Sequence, residues 1–433
     1  MPREMNQTNA KNALTLEIDA LSYGPYGIAR LDGMTLMIPH TAPGDLVAVR
    51  LIDSKPRYAI GELDHVIQPS PLRQIPPCPY FSECGGCPWQ HLNYDAQLKA
   101  KEKNVLDALC RIGKLGGFEL RPIIPSAAPY HYRRRIALQC DANKRVGFFR
   151  AFSHDLVEIE GCVIADHALN PIIAPLRRWL AGMETVLERI EAIAGDESNQ
   201  IVIVGKGRGD FVPRDEAACD DLLHQHGAIM GLILHGRDWR KTWGEPSIAL
   251  KHRDALRVTV EGDVFTQVNP QGNRRLLEVL LEACDFRATD RLLELYCGAA
   301  NFTLAVAKQV SEVVAVDGHR QALANAKLNA QKNDLSHIRW LCAPVPEAVA
   351  RLAQARERFS TIILDPPRAG AKGIARDLAF LGARKIIYIS CNPTTLARDL
   401  SAMAQYGYRL HRVQPIDLFP QTFHVEIVAE LNC

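Results

Sequence analysis

The chain has 433 residues, 47% hydrophobic and 23% charged, with a net charge of +2. At about 150 residues per domain this length suggests about three domains, and the composition excludes wholesale disorder and fibrous classes. A near-neutral balance excludes a protein that grips nucleic acid by bulk charge, so a polyanion would have to be held by local patches. There is no apolar run of membrane-spanning length, so no membrane association is expected. Residues 1–11 are polar and read as a frayed tail rather than a secretory signal. Twelve cysteines without such a signal point to a reducing cytoplasm, where clustered cysteines serve as metal ligands or nucleophiles.

In chain order, residues 14–67 alternate short β-like runs with Gly/Pro turns, which suggests a small β-barrel. The pattern Gly24-x2-Gly27-Ile28-Ala29-Arg30, Asp32-Gly33, Pro39 and Pro43-Gly44-Asp45 resembles a TRAM domain, and the resemblance implies an RNA-binding barrel over 12–68. Residues 68–79 are proline-rich and read as a stiff linker. A cysteine cluster follows, then a helix over 93–113 ending at a glycine. A mixed, β-rich central domain over 75–260 contains one clear helix, expected at 170–193. A third domain, 261–433, alternates strands and helices. Strands are expected at 292–296, 313–316, 338–341, 361–364 and 386–389, giving a doubly wound, parallel α/β sheet with Rossmann-like character. Ligands in such sheets sit at the carboxyl ends of the strands, where Asn301, Asp317, Asp365 and Cys391 fall.

Small residues at Gly298-Ala299-Ala300 let backbone approach a ligand, and Asp317, ending the next strand, suits ribose hydroxyls. Cys391 precedes Asn392-Pro393, an N-cap and first-turn pair, so partial positive charge at a helix start would favour its thiolate. The runs Glu294–Leu304, Ile389–Asp399 and Asp417–Glu426 resemble, respectively, the cofactor motif, the nucleophile motif and the second signature of the RNA uracil-5 methyltransferases. The nucleophile run matches almost letter for letter. The resemblance spans nearly the whole chain and is closest to the family's 23S ribosomal-RNA branch. It implies transfer of a methyl group from S-adenosylmethionine to uracil carbon-5, with Cys391 as nucleophile and Glu426 as general base. It further implies cofactor contacts from Gln267, Tyr296, Asn301, Asp317 and Asp365. Two departures stand out: Asp317 where relatives often have Glu, and Cys342-Ala343-Pro344 where they carry a polar residue near the adenine.

Cys78-x5-Cys84-Gly85-Gly86-Cys87 forms a loop able to wrap a metal. Four thiolates fit either zinc or a [4Fe-4S] cluster, and spacing alone leans to neither. The resemblance implies the cluster, with Cys162 as fourth ligand. The run Tyr130–Arg135 interleaves aromatics with arginines, as an RNA patch would. A TRAM-containing radical enzyme is disfavoured, since it needs C-x3-C-x2-C and an open iron. The same methylation on transfer RNA or another ribosomal uridine, and a non-catalytic RNA chaperone, remain as alternatives. A monomer is expected.

Overall fold

The computed structural model describes residues 13–197, 200–252 and 256–433. The tail expected at 1–11 lies outside the described residues. Strands Leu14–Glu17, Ala20–Leu21, Tyr26–Leu31, Met34–Pro39, Leu46–Ser54 and Tyr58–Gln68 form one six-stranded sheet. Its first and second strands are two residues apart in sequence yet lie at opposite ends of the strand order, so the sheet curls back on itself. Alternate residues Leu16, Leu36, Ile38, Val47 and Val49 fill its inside. Asp32 (φ +50°) and Gly33 (φ +80°) make the left-handed two-residue hairpin that matches strand twist. Asp45 does more than punctuate a turn. Its buried carboxylate accepts from Ala42 N, Ser70 N and the Arg73 guanidinium, which holds it below the usual carboxylate range and ties the barrel to the following segment.

The central sheet has seven strands, ordered Leu156–Glu158, Val146–Phe149, Arg135–Cys140, Leu187–Ala194, Ile201–Gly207, Ile229–His235 and Arg240–Gly244. Here the expected helix at 170–193 is corrected. The helix is Ile173–Gly182, and Leu187–Ala194 is a strand. That strand pairs on both edges, with Arg135–Cys140 and Ile201–Gly207, so sheet formation overrides its helix-forming residues. The helix Tyr94–Asp107 continues into a wider turn at Ala108–Ile112 and stops at Gly113, as expected. Its residues Val105 and Leu109 are buried in the core of the third sheet.

That third sheet has eight strands: Ile338–Cys342, Glu312–Asp317, Arg291–Leu295, Thr361–Leu364, Lys385–Ser390, Glu426–Asn432, Arg409–Ile416 and Glu119–Leu120. The first five run parallel, as the sequence implies, with helices on both faces. The last strand of the chain, Glu426–Asn432, inserts antiparallel beside Lys385–Ser390. Among the described residues no helix is long and apolar enough to cross a membrane.

Candidate active site

The first parallel strand ends in strained backbone. Tyr296 (φ +65°), Gly298 (φ +53°) and Ala300 (φ +71°) are all left-handed. Strain of this kind at a strand end marks a functional turn. The turn is pinned by Asp317, whose Oδ2 accepts from Gly298 N at 2.9 Å while its Oδ1 accepts from His319 N at 2.7 Å. Gln267, Tyr296, Asn301 and Asp365 line one cavity beside this turn, together with Phe265. Four of the five expected cofactor residues thus share a cavity, and the fifth sets the shape of its wall. Asn301 is also held by a reciprocal amide pair with Asn273, 2.9 Å in each direction. Beneath them Glu294 is fully buried and accepts from Thr303 Oγ1 at 2.6 Å, and burial pushes its carboxyl up to about 8.

Cys391 follows the strand Lys385–Ser390 and precedes the helix Pro393–Ala404, with Asn392 accepting from Thr394 N at 3.0 Å as its cap. Ser390 pairs with Ile427 in the antiparallel register. Cys391 directly follows Ser390 and Glu426 directly precedes Ile427, so the two residues flank the end of this pairing, and Glu426 is near enough to raise the Cys391 thiol. Glu426 is buried, not solvated, at 4% exposure. Burial and the nearby Asp365 raise its carboxyl well above the usual range, and burial raises Asp365 too.

The expected thiolate-favouring environment of Cys391 is corrected in sign. Burial pushes the thiol up to about 11, Glu426 and Asp365 add to this, and Arg368 opposes it. The helix start is present, but burial is the largest influence on the thiol, and two neighbouring carboxyl groups add to it.

The loop Asp365–Ala371 is stitched to the nucleophile's helix. Thr395 Oγ1 donates to Arg368 O at 3.2 Å, and Arg398 donates to Ala369 O at 2.8 Å. Asp399 accepts from Ala371 N and from Tyr388 OH, both at 2.7 Å. Gly370 (φ +78°) is required, since a Cβ there would meet Asp399 Oδ2 and the Arg398 guanidinium. This explains Thr395, Arg398 and Asp399 in the nucleophile run, for which sequence reading had no role.

Sequence reading also missed Tyr23. From the N-terminal barrel its hydroxyl donates to Cys391 O at 2.7 Å, across 368 positions of sequence. No local signal marks such a contact. The loop leading to Glu426 is held from the central region. Lys101 donates to Asp417 at 2.6 Å and to Phe419 O at 3.0 Å, Gln97 and Gln421 bond reciprocally, and Tyr132 OH donates to Pro420 O.

Cys78, Cys84, Cys87 and Cys162 line a single cavity of about 320 Å³ that extends to Arg133, Arg368 and His424. Among the described residues no three His, Cys, Asp or Glu side chains are arranged to hold a metal ion. Burial pushes Cys84 up to about 11 and Cys87 up to about 12, and the neighbouring Cys78 and Cys162 add to both. The expected arginine patch is largely corrected. Arg134 is buried against Asp196 at 2.5 Å, and Arg135 donates to Gly262 O and Val264 O, leaving Arg133 of the three at the cavity wall.

Comparison with known proteins follows the same division. Residues 13–63 match the TRAM domain, and 245–432 match the tRNA (Uracil-5-)-methyltransferase family. A 23S rRNA (uracil(1939)-C(5))-methyltransferase RlmD of Aeromonas hydrophila is 34% identical over 423 residues, spanning 95% of this chain and 94% of its own. That of Histophilus somni is 31% identical, spanning 98% and 97%. The solved tRNA (uracil-54, C5)-methyltransferase of Pyrococcus abyssi, in complex with S-adenosyl-L-homocysteine, superposes with a TM-score of 0.74 at 23% identity, covering 96% of this chain and all of that one. At that identity the likeness concerns the fold.

Proposed function

This chain belongs to the RNA uracil-5 methyltransferase family, and we propose that it methylates carbon-5 of one uridine in 23S ribosomal RNA. The reading is carried by Cys391 and Glu426, which flank the last Ser390–Ile427 pair of neighbouring strands, with Glu426 acting on the thiol and Asp365 of the adjoining cavity acting on both. S-adenosylmethionine supplies the methyl group, and Gln267, Tyr296, Asn301, Asp317 and Asp365 would hold it. Uracil carbon-5 alone is too weak a nucleophile. Addition of the Cys391 sulfur to carbon-6 converts the ring to an enolate whose electron pair is available at carbon-5, which takes the methyl. Glu426 then removes the carbon-5 proton, the 5,6 double bond re-forms, and the Cys391 thiolate leaves. The raised proton affinity of Glu426 suits a group that must take a proton from carbon. A stacked base is out of reach, so the uridine must be unpaired or flipped.

The ribosomal substrate is supported by relatives 31–34% identical over nearly the full length. It implies action in the cytoplasm, and every group of the site comes from one chain, so a monomer suffices. Mapping 5-methyluridine in RNA from a deletion strain tests it. Loss of one 23S position is expected, and loss from transfer RNA instead would move the substrate.

We further propose that Cys78, Cys84, Cys87 and Cys162 hold a [4Fe-4S] cluster. The fit rests on four thiols facing one cavity much larger than a single ion. Burial first, and neighbouring sulfurs second, raise the Cys84 and Cys87 thiols, which bound iron would reverse. Four thiolates would leave no iron open, which suits a structural role. Anaerobically purified protein should be brown and carry about four irons per chain; stoichiometric zinc without iron would sink the assignment.

A further inference from the structure

Between the N-terminal barrel and the central sheet lies another cavity, of about 420 Å³, which the methyl-transfer chemistry does not use. We propose that it is a stacking subsite for an unpaired nucleobase of the RNA substrate, next to the target uridine. The proposal rests on the reading of the chain as an RNA uracil-5 methyltransferase.

Its walls include Phe149, Phe152 and Phe423, with Pro39, His40 and Arg150. Phe152 stands in the turn between strands Val146–Phe149 and Leu156–Glu158 and is 68% exposed. Its backbone is left-handed, φ +58°, a conformation that a bulky residue adopts only under constraint. The constraint presents the ring to water instead of burying it, which opposes what core packing alone would favour. The ring stacks on Tyr26 of the barrel, centroids 5.7 Å apart and 19° from parallel, so the barrel backs the ring while its Pro25, Pro39 and His40 line the cavity. Phe149 adds a second ring at 38% exposure.

The turn is fixed in place. Gly85 N donates to Phe149 O at 3.0 Å and Ala151 N to Glu83 O at 3.1 Å, which pairs it with the cysteine loop. Arg150 at the rim holds Glu83 at 2.7 Å, with about half of each side chain exposed, so a phosphate could compete for it. Burial and Arg73 disfavour protonation of His40 at the wall, where its ring adds an aromatic surface.

Phe423 of the cavity wall packs toward the proposed catalytic centre. Phe423 packs edge-on against Tyr23 at 5.6 Å and tilted against His424 at 4.3 Å. Tyr23 reaches Cys391 O, and His424 lies 3.4 Å from Arg368. One layer of side chains therefore separates a base in this cavity from a uracil at Cys391, as suits a neighbouring nucleotide. Aromatic and proline walls take any base by its face, so the subsite would hold RNA in place without reading its sequence.

The test uses full-length protein and an RNA fragment that the wild type methylates. Phe152→Ala is expected to weaken RNA binding about 5- to 150-fold, the loss that one unstacked base brings. S-adenosylmethionine binding, Tm and the log-log salt slope should not change, since no phosphate contact is removed. Phe152→Trp should restore binding. In the wild-type complex, 5-iodouridine placed at each position flanking the target should photo-crosslink to the peptide containing Phe149 and Phe152 from one position. A Phe149→Ala/Phe152→Ala enzyme that binds RNA as tightly as wild type would overturn the subsite, as would crosslinks that never fall on that peptide; the latter holds even if the variants fold poorly. A wild type that methylates no RNA uridine would instead overturn the functional reading itself.

Discussion

Cys391 sits between opposing fields, and its reactivity follows from their balance. Burial, Glu426 and Asp365 push the thiol up to about 11, while Arg368 pulls it down. Below that value the thiolate fraction rises about tenfold per pH unit, so alkylation of Cys391 in the RNA-free enzyme should climb steadily from pH 6 to 9. Mass spectrometry of the Cys391 peptide would follow it. Arg368→Met removes the one opposing charge and should slow alkylation several-fold at pH 8. No slowing would mean that Arg368 does not act on the thiol. The two catalytic roles separate on covalent trapping. Cys391→Ala should form no RNA adduct, because nothing adds to carbon-6. Glu426→Gln should add and transfer the methyl but fail to remove the carbon-5 proton, so labelled methyl should travel with an RNA–protein band on a denaturing gel. A turning-over Cys391→Ala enzyme would refute the nucleophile assignment. Arg133 is the member of its arginine run left at a cavity wall. Arg133→Ala should lower the log-log salt slope of RNA binding by about 0.7.

At the scale of elements, the helix Tyr94–Asp107 earns its position through the loop it grips. Lys101 and Asp417 have fully buried side chains, and Tyr94 OH donates to the same carboxylate at 2.9 Å. Lys101→Met would leave Asp417 charged and buried, which costs about 3–5 kcal/mol. Thermal unfolding should register this directly, and a variant of unchanged Tm would mean that the pair is not buried in solution. The parallel strands were legible because each is an apolar run ending in a polar or small residue, as at Asp317, Asp365 and Cys391. The strand Leu187–Ala194 was not, because its sequence LERIEAIA carries good helix formers and only its two sheet partners decide the matter. The nucleophile run was readable as chemistry, yet three of its residues serve the neighbouring loop through Gly370, a relation visible only once the fold brings them together. The arginine run misled for the same reason: nothing local distinguishes Arg134, facing Asp196, from a solvated arginine.

Across the whole molecule, the active site is assembled from three regions of chain. The catalytic sheet supplies Cys391 and Glu426, the segment after the cysteine loop holds the approach to Glu426, and the barrel supplies Tyr23. The turn that carries Tyr23 is itself fixed, since Ser22 N and Oγ both donate to Tyr26 O and the buried Trp89 donates to Gly24 O at 3.2 Å. The barrel therefore does more than offer an RNA surface: it braces the backbone at Cys391. Tyr23→Phe keeps the ring against Phe423 and removes only the hydroxyl, so it should leave RNA and S-adenosylmethionine affinity intact. Loss of one net hydrogen bond should slow covalent adduct formation on 5-fluorouridine RNA about fivefold. Tyr23→Ala should slow it further, because the contact with Phe423 goes as well. Single-turnover adduct rates beside RNA binding constants separate the two effects. If Tyr23→Phe formed adduct at the wild-type rate, the hydroxyl would be packing alone; if it lost RNA affinity instead, the barrel would act through docking and not through the nucleophile.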